Sequence, residues 1–445
     1  MTVANVTKSD RQKGRGFMKI DVKSFSAPCQ CGREHKIHVK EIVIEAGAIN
    51  KIPELISDIF TGKPEEISII CDDNTYTAAA EAVKDMIQGS KVVKLPPKGL
   101  HADNHAVKLA EEQLDGNTKL ILAVGSGTIH DISRYIANKK GIHFVSIPTA
   151  ASVDGFVSTV AAMTWNGFKK TFPAVSPILV IADTNIFSKA PYRLTASGIS
   201  DLLGKYTALA DWEISHLVTD EYICSKVCDL ELKALDEVCS CISDLRGDVP
   251  KDKQLKAYEQ LMYALLLSGI AMQMVGNSRP ASGAEHHISH LWEMEVINKP
   301  LDAYHGEKVS IGLMIVAETY HMLKEAIRNG QYEMENYNGL DYMELKETFG
   351  PKGLYEGMLE ENTPDPLEQI DIMDFENLLP RIADILDKLP SVDRINELLT
   401  MAGCVKYVRD IGLEEHIIPK TIRLSPYVRN RLTFMRLTKL IKLID

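Results

Sequence analysis

Leu120-Ile121-Leu122-Ala123-Val124 runs without interruption into Gly125-Ser126-Gly127-Thr128-Ile129-His130-Asp131. Five consecutive apolar residues ending in a Gly-rich turn read as a strand buried on both faces that passes directly into a helix. The pattern recurs on either side. Ile67-Ser68-Ile69-Ile70-Cys71 is an apolar run closed by Asp72-Asp73-Asn74, and helical spacing follows from Thr77 to Ile87. Val92-Val93, a helix over Ala106–Leu114, the strand Phe144-Val145-Ser146-Ile147 and a last strand near Ile178–Ala182 continue the alternation. Strands that are apolar on both faces and separated by helices predict an α/β domain built on a parallel sheet.

From about Leu194 the spacing becomes helical throughout: Ile199–Ile214, Glu221–Leu245, Gln254–Val275, Gly283–Glu295 and Glu307–Leu323. The expected organisation is an α/β domain over residues 1–190, including an N-terminal extension to about 40, then an all-helical domain over 191–445. Met358–Asp374 is acidic and contains Pro, and reads as a solvated connection. The final thirty residues carry Arg423, Arg429, Arg431, Arg436, Lys439 and Lys442 among Leu, Ile and Phe, which predicts an amphipathic closing helix with a solvated basic face.

With 445 residues the chain is long enough for two cores. A net charge of −11 argues against a broad nucleic-acid surface, although local Arg and Lys can still hold an anionic substrate. No run of eighteen apolar residues exists to span a membrane. The polar start MTVANVTKSDRQKGRG lacks the apolar centre of a signal peptide, so a cytoplasmic protein is expected. In a reducing compartment the eight cysteines are expected to be free thiols. Cys29-Gln-Cys31-Gly32, followed by His35 and His38, collects four zinc-ligand types, but C-x-C is not a common finger spacing and no second pair follows. A simple turn is the first expectation there and a structural metal the second.

Two stretches carry the chemistry. The Gly125–Thr128 turn puts backbone N–H groups at the positive end of a helix, where a phosphate binds; without a ligand it is a tight turn. Asp72, ending an earlier strand, is placed to accept from a ribose hydroxyl or to form a turn. As a ribose contact it would repel a 2′-phosphate and favour NAD over NADP. The second stretch is Ser282-Gly283-Ala284-Glu285-His286-His287-Ile288-Ser289-His290, with Tyr304-His305-Gly306-Glu307-Lys308 downstream. His286 and His290 share one helix face and His287 points elsewhere. A core does not recruit histidine for packing, so the cluster indicates ligation or proton transfer. Asp201, in Gly198–Tyr206, joins His286 and His305 as an N,N,O set of the kind that holds a catalytic divalent ion with open positions.

GSGTIHD, PTAASVDGFVS, SGISDLLGKY, RPASGAEHHISH and YHGEKVSIG, in this order across about residues 65–325, resemble the glycerol-1-phosphate dehydrogenases, the bacterial kind in particular. These sit with glycerol dehydrogenases, iron-dependent alcohol dehydrogenases and dehydroquinate synthases in one superfamily. The resemblance implies an α/β nucleotide domain, an all-helical domain and an active site in the cleft between them. It places metal ligands at Asp201, His286 and His305. Nucleotide contacts fall at Asp72, Gly127, Thr128, Ile129, His130, Asp131, Thr149, Ala150, Ala151, Ser152 and Ser158. Asp154, Asp201 and His290 would face the substrate and take part in catalysis. The iron-dependent alcohol dehydrogenases carry a further histidine ligand where this chain has Lys205, so three protein ligands are expected. Zinc, nickel and iron all suit such a set.

The implied reaction is reversible hydride transfer between NAD, or NADP, and dihydroxyacetone phosphate, giving sn-glycerol 1-phosphate. Arg279 and Lys205 are the cations expected at the substrate phosphate, unless Arg279 forms a structural ion pair and Lys205 pairs with Asp201. The family also favours a homo-oligomer, a dimer or larger. Three alternatives stay open: a polyol dehydrogenase acting on unphosphorylated substrate, a cyclase of the dehydroquinate-synthase type, and a non-enzymatic metal-binding scaffold.

Overall fold

The computed structural model describes residues 18–444. The N-terminal segment read above for a signal peptide, and the first part of the extension, lie outside the described residues. Two compact units interleave in sequence. One runs up to Met163 and includes Thr171–Thr195 and Asp236–Asn277; the other comprises Thr164–Lys170, Ala196–Leu235 and the chain from Ser278 onward.

The first unit is organised by a seven-stranded sheet. Its strands are β1 (Met18–Lys19), β2 (Glu41–Glu45), β3 (Ile67–Asp72), β4 (Lys91–Leu95), β5 (Leu120–Gly125) and β6 (His143–Pro148). After two short strands outside it, β7 (Val160–Trp165) and β8 (Phe168–Pro173), the seventh is β9 (Leu179–Asp183). The order is β1-β2-β9-β6-β5-β3-β4; β1 is antiparallel to β2 and the other six strands run parallel. All six residues of β5 are buried, as a strand covered on both faces requires. One of those faces packs Ile67, Ile69, Leu122, Val124, Val145, Ile147 and Ile181 into a single core. The chain leaves β3 towards β4 on one side and returns to β5 on the other. The carboxyl ends of β3 and β5 therefore flank a topological switch point, where open α/β sheets bind ligands.

The second unit is predominantly helical. Lys205–Thr219, Ala284–Glu293, His305–Asn329 and Ile372–Leu386 bury Ile214, Ile288, Trp292, Ile315, Leu379 and Leu386 in one core. Where one helix was expected over Ile199–Ile214, two occur: Tyr192–Leu203 and Lys205–Thr219, broken at Gly204. A Cβ at Gly204 would lie 3.1 Å from Val309 Cγ1 and 3.2 Å from Glu285 Cγ, so close approach of neighbouring helices governs this point.

Two further expectations change. Met358–Asp374 is not a solvated connection, because Met358, Asn362, Asp365 and Leu367 are buried. The C-terminus is not one amphipathic helix either. It is short pieces, Ile418–Leu424 and Phe434–Leu437 among them, and Arg436 is fully buried. Its guanidinium donates to Asn362 Oδ1 and to the Pro426 and Arg429 carbonyls, and pairs with Asp365 at 3.0 Å. One carboxylate of the acidic stretch and one guanidinium of the basic stretch, each read alone as solvated, neutralise one another in the interior.

Candidate active site

In the first unit the predicted nucleotide residues gather at the carboxyl ends of β3, β5 and β6. The helix Gly127–Lys140 starts immediately after β5, and its cap residue Ser126 makes no side-chain capping bond. Its first N–H groups therefore have no cap competing with an anion. A Cβ at Gly127 would come 3.0 Å from Val153 Cγ2, so the Val153 side chain packs closely over this turn. The Gly125 carbonyl accepts from Thr149 N at 3.0 Å, which ties the loop after β6 to this turn. Thr149, Ala150, Ala151, Ser152, Asp154 and Ser158 are all buried, and Ser152 Oγ has no hydrogen-bond partner among the described residues. Such a hydroxyl is a natural ligand contact.

Three of these residues also have evident structural work. Asp72 caps the turn after β3, accepting from Thr75 N at 2.8 Å. His130 is buried, with Nδ1 2.9 Å from the Ser126 carbonyl and Nε2 2.7 Å from Ser146 Oγ. Burial pushes its pKa down to about 3, so the ring is neutral and braces the turn from behind. Asp154 Oδ2 accepts from Ser268 Oγ at 2.9 Å. Arg134, one turn beyond Asp131, was not singled out in the sequence. It is fully buried and donates to the carbonyls of Gly155, Phe156, Ser158 and Val160, so it holds the loop that carries Asp154 and Ser158. An Arg on the polar side of a helix gave no sign of this.

In the second unit Asp201, His286 and His305 converge. A carboxylate oxygen and one nitrogen from each ring lie within 4.8 Å of one another. Three helices supply them. Asp201 is near the end of Tyr192–Leu203, His286 is in the first turn of Ala284–Glu293, and His305 is the first residue of His305–Asn329. His286 Nε2 is 3.1 Å from Asp201 Oδ1, and the rings of His286 and His305 have centroids 5.3 Å apart. Two imidazoles and one carboxylate form a set with the composition and convergence of a three-ligand divalent-metal site.

Each of these two histidines has a partner behind it. His286 Nδ1 lies 2.7 Å from Glu285 Oε1, and His305 Nδ1 lies 2.8 Å from Glu293 Oε1. Carboxylates on Nδ1 select the tautomer that leaves Nε2 for a metal. Burial disfavours the charged form of His286, but its contacts with Asp201 and Glu285 prevail and raise its pKa to about 9. Burial likewise opposes charge on Asp201, which the Lys205 ammonium and His286 nevertheless hold below the usual carboxylate range. Glu293 is held low in the same way, against burial, by Lys169, His305 and Lys308. Glu285 and Glu293 went unremarked in the sequence; adjacency to His286 and the three-residue step from His290 were the available signals.

His290 completes the ring of histidines, its centroid 5.5 Å from that of His305. It is buried, burial keeps it neutral, and its Nδ1 has no partner among the described residues. Its Nε2 or Nδ1, Glu293 and His305 form a second convergent group. His287 lies outside both groups, as expected, and is buried and neutral. The two cations assigned to phosphate are engaged elsewhere. Lys205 Nζ donates to the Asp201 carbonyl at 2.8 Å and sits 3.4 Å from its Oδ1. Arg279 donates to the Asp211 and Leu432 carbonyls and pairs with Glu221 at 2.9 Å.

Residues 43–191 match the family model of the iron-containing alcohol dehydrogenases. A glycerol-1-phosphate dehydrogenase (NAD(P)+) from Geobacillus stearothermophilus is 31% identical over 425 residues, covering 93% of this chain and 96% of that protein. The chain belongs to the glycerol-1-phosphate dehydrogenase family. A second member, from Bacillus licheniformis, is 35% identical over 321 residues, 70% of this chain and 78% of its own. Among solved structures, an alcohol dehydrogenase from an archaeal Red Sea brine-pool source superposes with a TM-score of 0.60 at 16% identity, covering 89% and 93% of the two chains. At that identity the likeness extends to the fold.

Proposed function

We propose that this chain is an NAD(P)-dependent glycerol-1-phosphate dehydrogenase, interconverting dihydroxyacetone phosphate and sn-glycerol 1-phosphate. The observation that carries the reading is the Asp201–His286–His305 convergence in a chain whose relatives of that name match over nearly its whole length. Asp201, His286 and His305 would hold a divalent ion, zinc, nickel or iron, which when bound supplies Lewis acidity towards the C2 oxygen of the substrate. A nicotinamide nucleotide, when bound, supplies or accepts the hydride.

The protein's own residues do the rest. The uncapped start of the helix Gly127–Lys140 receives the nucleotide's phosphates, with Thr128, Ile129, Asp131 and the Thr149–Ser152 loop around them. Asp72 faces the ribose and weights the choice towards NAD. His290, neutral and with an uncommitted ring nitrogen, is the group that passes a proton to or from the substrate oxygen. Asp154 is held by Ser268 as a second substrate-facing carboxylate. Lys205 keeps Asp201 ionised and in place, a positioning role. For the substrate phosphate, Arg429 joins Arg279 and Lys205 as a candidate, because its charge bears on His290; Lys169, whose charge does so too, is paired with Glu293.

One observation favours an unphosphorylated polyol instead: both cations first assigned to phosphate are committed to internal carbonyls and carboxylates. NADH oxidation measured with dihydroxyacetone phosphate and with dihydroxyacetone separates the readings, and chiral analysis of the product completes the test. Preference for the unphosphorylated ketone, or formation of the 3-phosphate enantiomer, would overturn the proposal. Cytoplasmic residence and a homo-oligomeric state belong to the same proposal, read by fractionation and light scattering. Among the described residues no helix is long and apolar enough to cross a membrane.

A further inference from the structure

Between the short helix Val22–Ser26 and β2, residues 27–40 contain neither helix nor strand. Such a segment lacks a repeating hydrogen-bond ladder and must be fixed by its side chains. Here three of them converge. The Cys29 and Cys31 sulfurs and a His35 ring nitrogen lie within 4.8 Å of one another. A turn makes this approach available: Gly32 N donates to the Cys29 carbonyl at 3.3 Å, and Gly32 has φ +78°, a conformation that glycine adopts without strain. Cys31 Sγ is 3.4 Å from His35 Nε2.

The ring of His35 is oriented for ligation. It is buried, and its Nδ1 lies 2.7 Å from the carbonyl of Met274, at the end of the helix Lys251–Val275. A backbone carbonyl accepts only from N–H, so the proton sits on Nδ1 and the lone pair of Nε2 faces the sulfurs. His38, the fourth candidate of this stretch, is exposed and lies outside the group. A thiol–imidazole hydrogen bond would account for Cys31 and His35 alone; it gives no reason for a second sulfur at the same point.

We propose that Cys29, Cys31 and His35 hold a structural zinc ion. Two thiolates and one imidazole are the soft and borderline donors that select zinc over magnesium or calcium, and the thiolate pair neutralises its charge. Within this unit three donors meet the ion. Through His35 the ion fastens residues 27–40 to the long helix of the same unit, just before the chain enters the sheet at β2. This site shares no residue with Asp201, His286 and His305, so it stands or falls independently of the proposed activity.

The test replaces zinc by cobalt(II) in the reduced full-length protein and records the absorption spectrum. Wild type and His286→Ala should both show a thiolate-to-cobalt charge-transfer band, because the catalytic ligands include no sulfur. The band should vanish in Cys29→Ser/Cys31→Ser, which should also lose about one equivalent of zinc per chain. Reduced wild type without the band, or an unchanged band and zinc content in the double variant, would overturn the site. If the double variant does not fold, His35→Gln is measured in its place: weakened zinc retention against a chelator supports the site and unchanged retention refutes it.

Discussion

Glu293→Gln tests whether the proposed metal site is held from behind as well as by Asp201, His286 and His305. Glu293 Oε1 lies 2.8 Å from His305 Nδ1, and Oε2 lies 2.9 Å from Lys169 Nζ, off hydrogen-bond alignment and so best treated as an ion pair. The carboxylate presents an acceptor to each. A glutamine amide has the same shape but only one oxygen. Whichever way it flips, an NH2 faces either the Lys169 ammonium or His305 Nδ1. In the second orientation the ring proton is driven to Nε2, the atom meant for the metal. Loss of a carboxylate behind a ligating histidine weakens metal binding by about 10–100-fold, or about 1.4–2.7 kcal/mol. The assay is competition for zinc or nickel against a chromophoric chelator, beside turnover at limiting and at saturating metal. Weakened affinity with turnover largely restored by excess metal is the expected result. Affinity within about twofold of wild type would refute an orienting role. Lost turnover with metal retained would move Glu293 into the chemistry, as the His290–Glu293–His305 grouping allows.

Metal uptake should depend on pH through His286. Its pKa of about 9 in the metal-free protein means that binding at neutral pH displaces its proton, so apparent affinity should rise about tenfold per pH unit up to about 9. Calorimetry in buffers of different ionisation enthalpy should count roughly one proton released near pH 7.5; no release would refute the assignment. The same raised pKa stabilises the metal-free fold below about pH 6.5, and this contribution fades as pH rises through about 9, as chelator-treated melting curves would show. Gly306→Ala should disable the site without touching a ligand, since its Cβ would lie 2.1 Å from the Ser197 carbonyl. The helices carrying Asp201 and His305 must then separate, costing about 1–3 kcal/mol by denaturant titration together with bound metal; normal metal content would contradict this packing. Arg436→Met should cost about 3–5 kcal/mol by stranding buried Asp365, and the double change with Asp365→Leu should recover much of it.

Strand positions were legible because both faces of a parallel sheet are dry. Runs such as Leu120–Val124 have no reason to exist in a solvated element, and the Gly-rich turn after them marks where backbone must come close to another group. Strand order was not legible. Nothing in Leu179–Asp183 declares that it lies between β2 and β6, because strands in one sheet meet through backbone N–H and C=O groups that every sequence offers alike. Local spacing failed wherever a long-range contact decided the outcome. The helix expected over Ile199–Ile214 is interrupted at Gly204, where a Cβ would press on Val309 and Glu285. Asp365 of the acidic stretch and Arg436 of the basic one are buried because each satisfies the other. Neither cause is visible within a window of one turn.

The candidate site divides along the same line. Side chains that would meet a ligand stood out, because an imidazole cluster or an isolated carboxylate among Ile and Leu has no packing purpose. Groups that act through other groups did not, because Glu285, Glu293 and Arg134 look like the ordinary charged residues of any helix. The two cations read as candidate phosphate ligands have the internal partners that stood as the alternative, for a related reason: a buried Lys or Arg is costly unless something internal accepts from it. For Lys205 that acceptor is the Asp201 carbonyl at the helix break; for Arg279 it is two carbonyls and Glu221. Phosphate recognition should therefore be sought among the cations whose charges bear on His290. Arg429→Ala should raise KM for dihydroxyacetone phosphate by about tenfold or more, while dihydroxyacetone turnover stays close to wild type. Equal losses on both ketones would assign Arg429 to holding the histidine cluster, as Lys169 does through Glu293, and phosphate selection would then have to come from elsewhere in the chain.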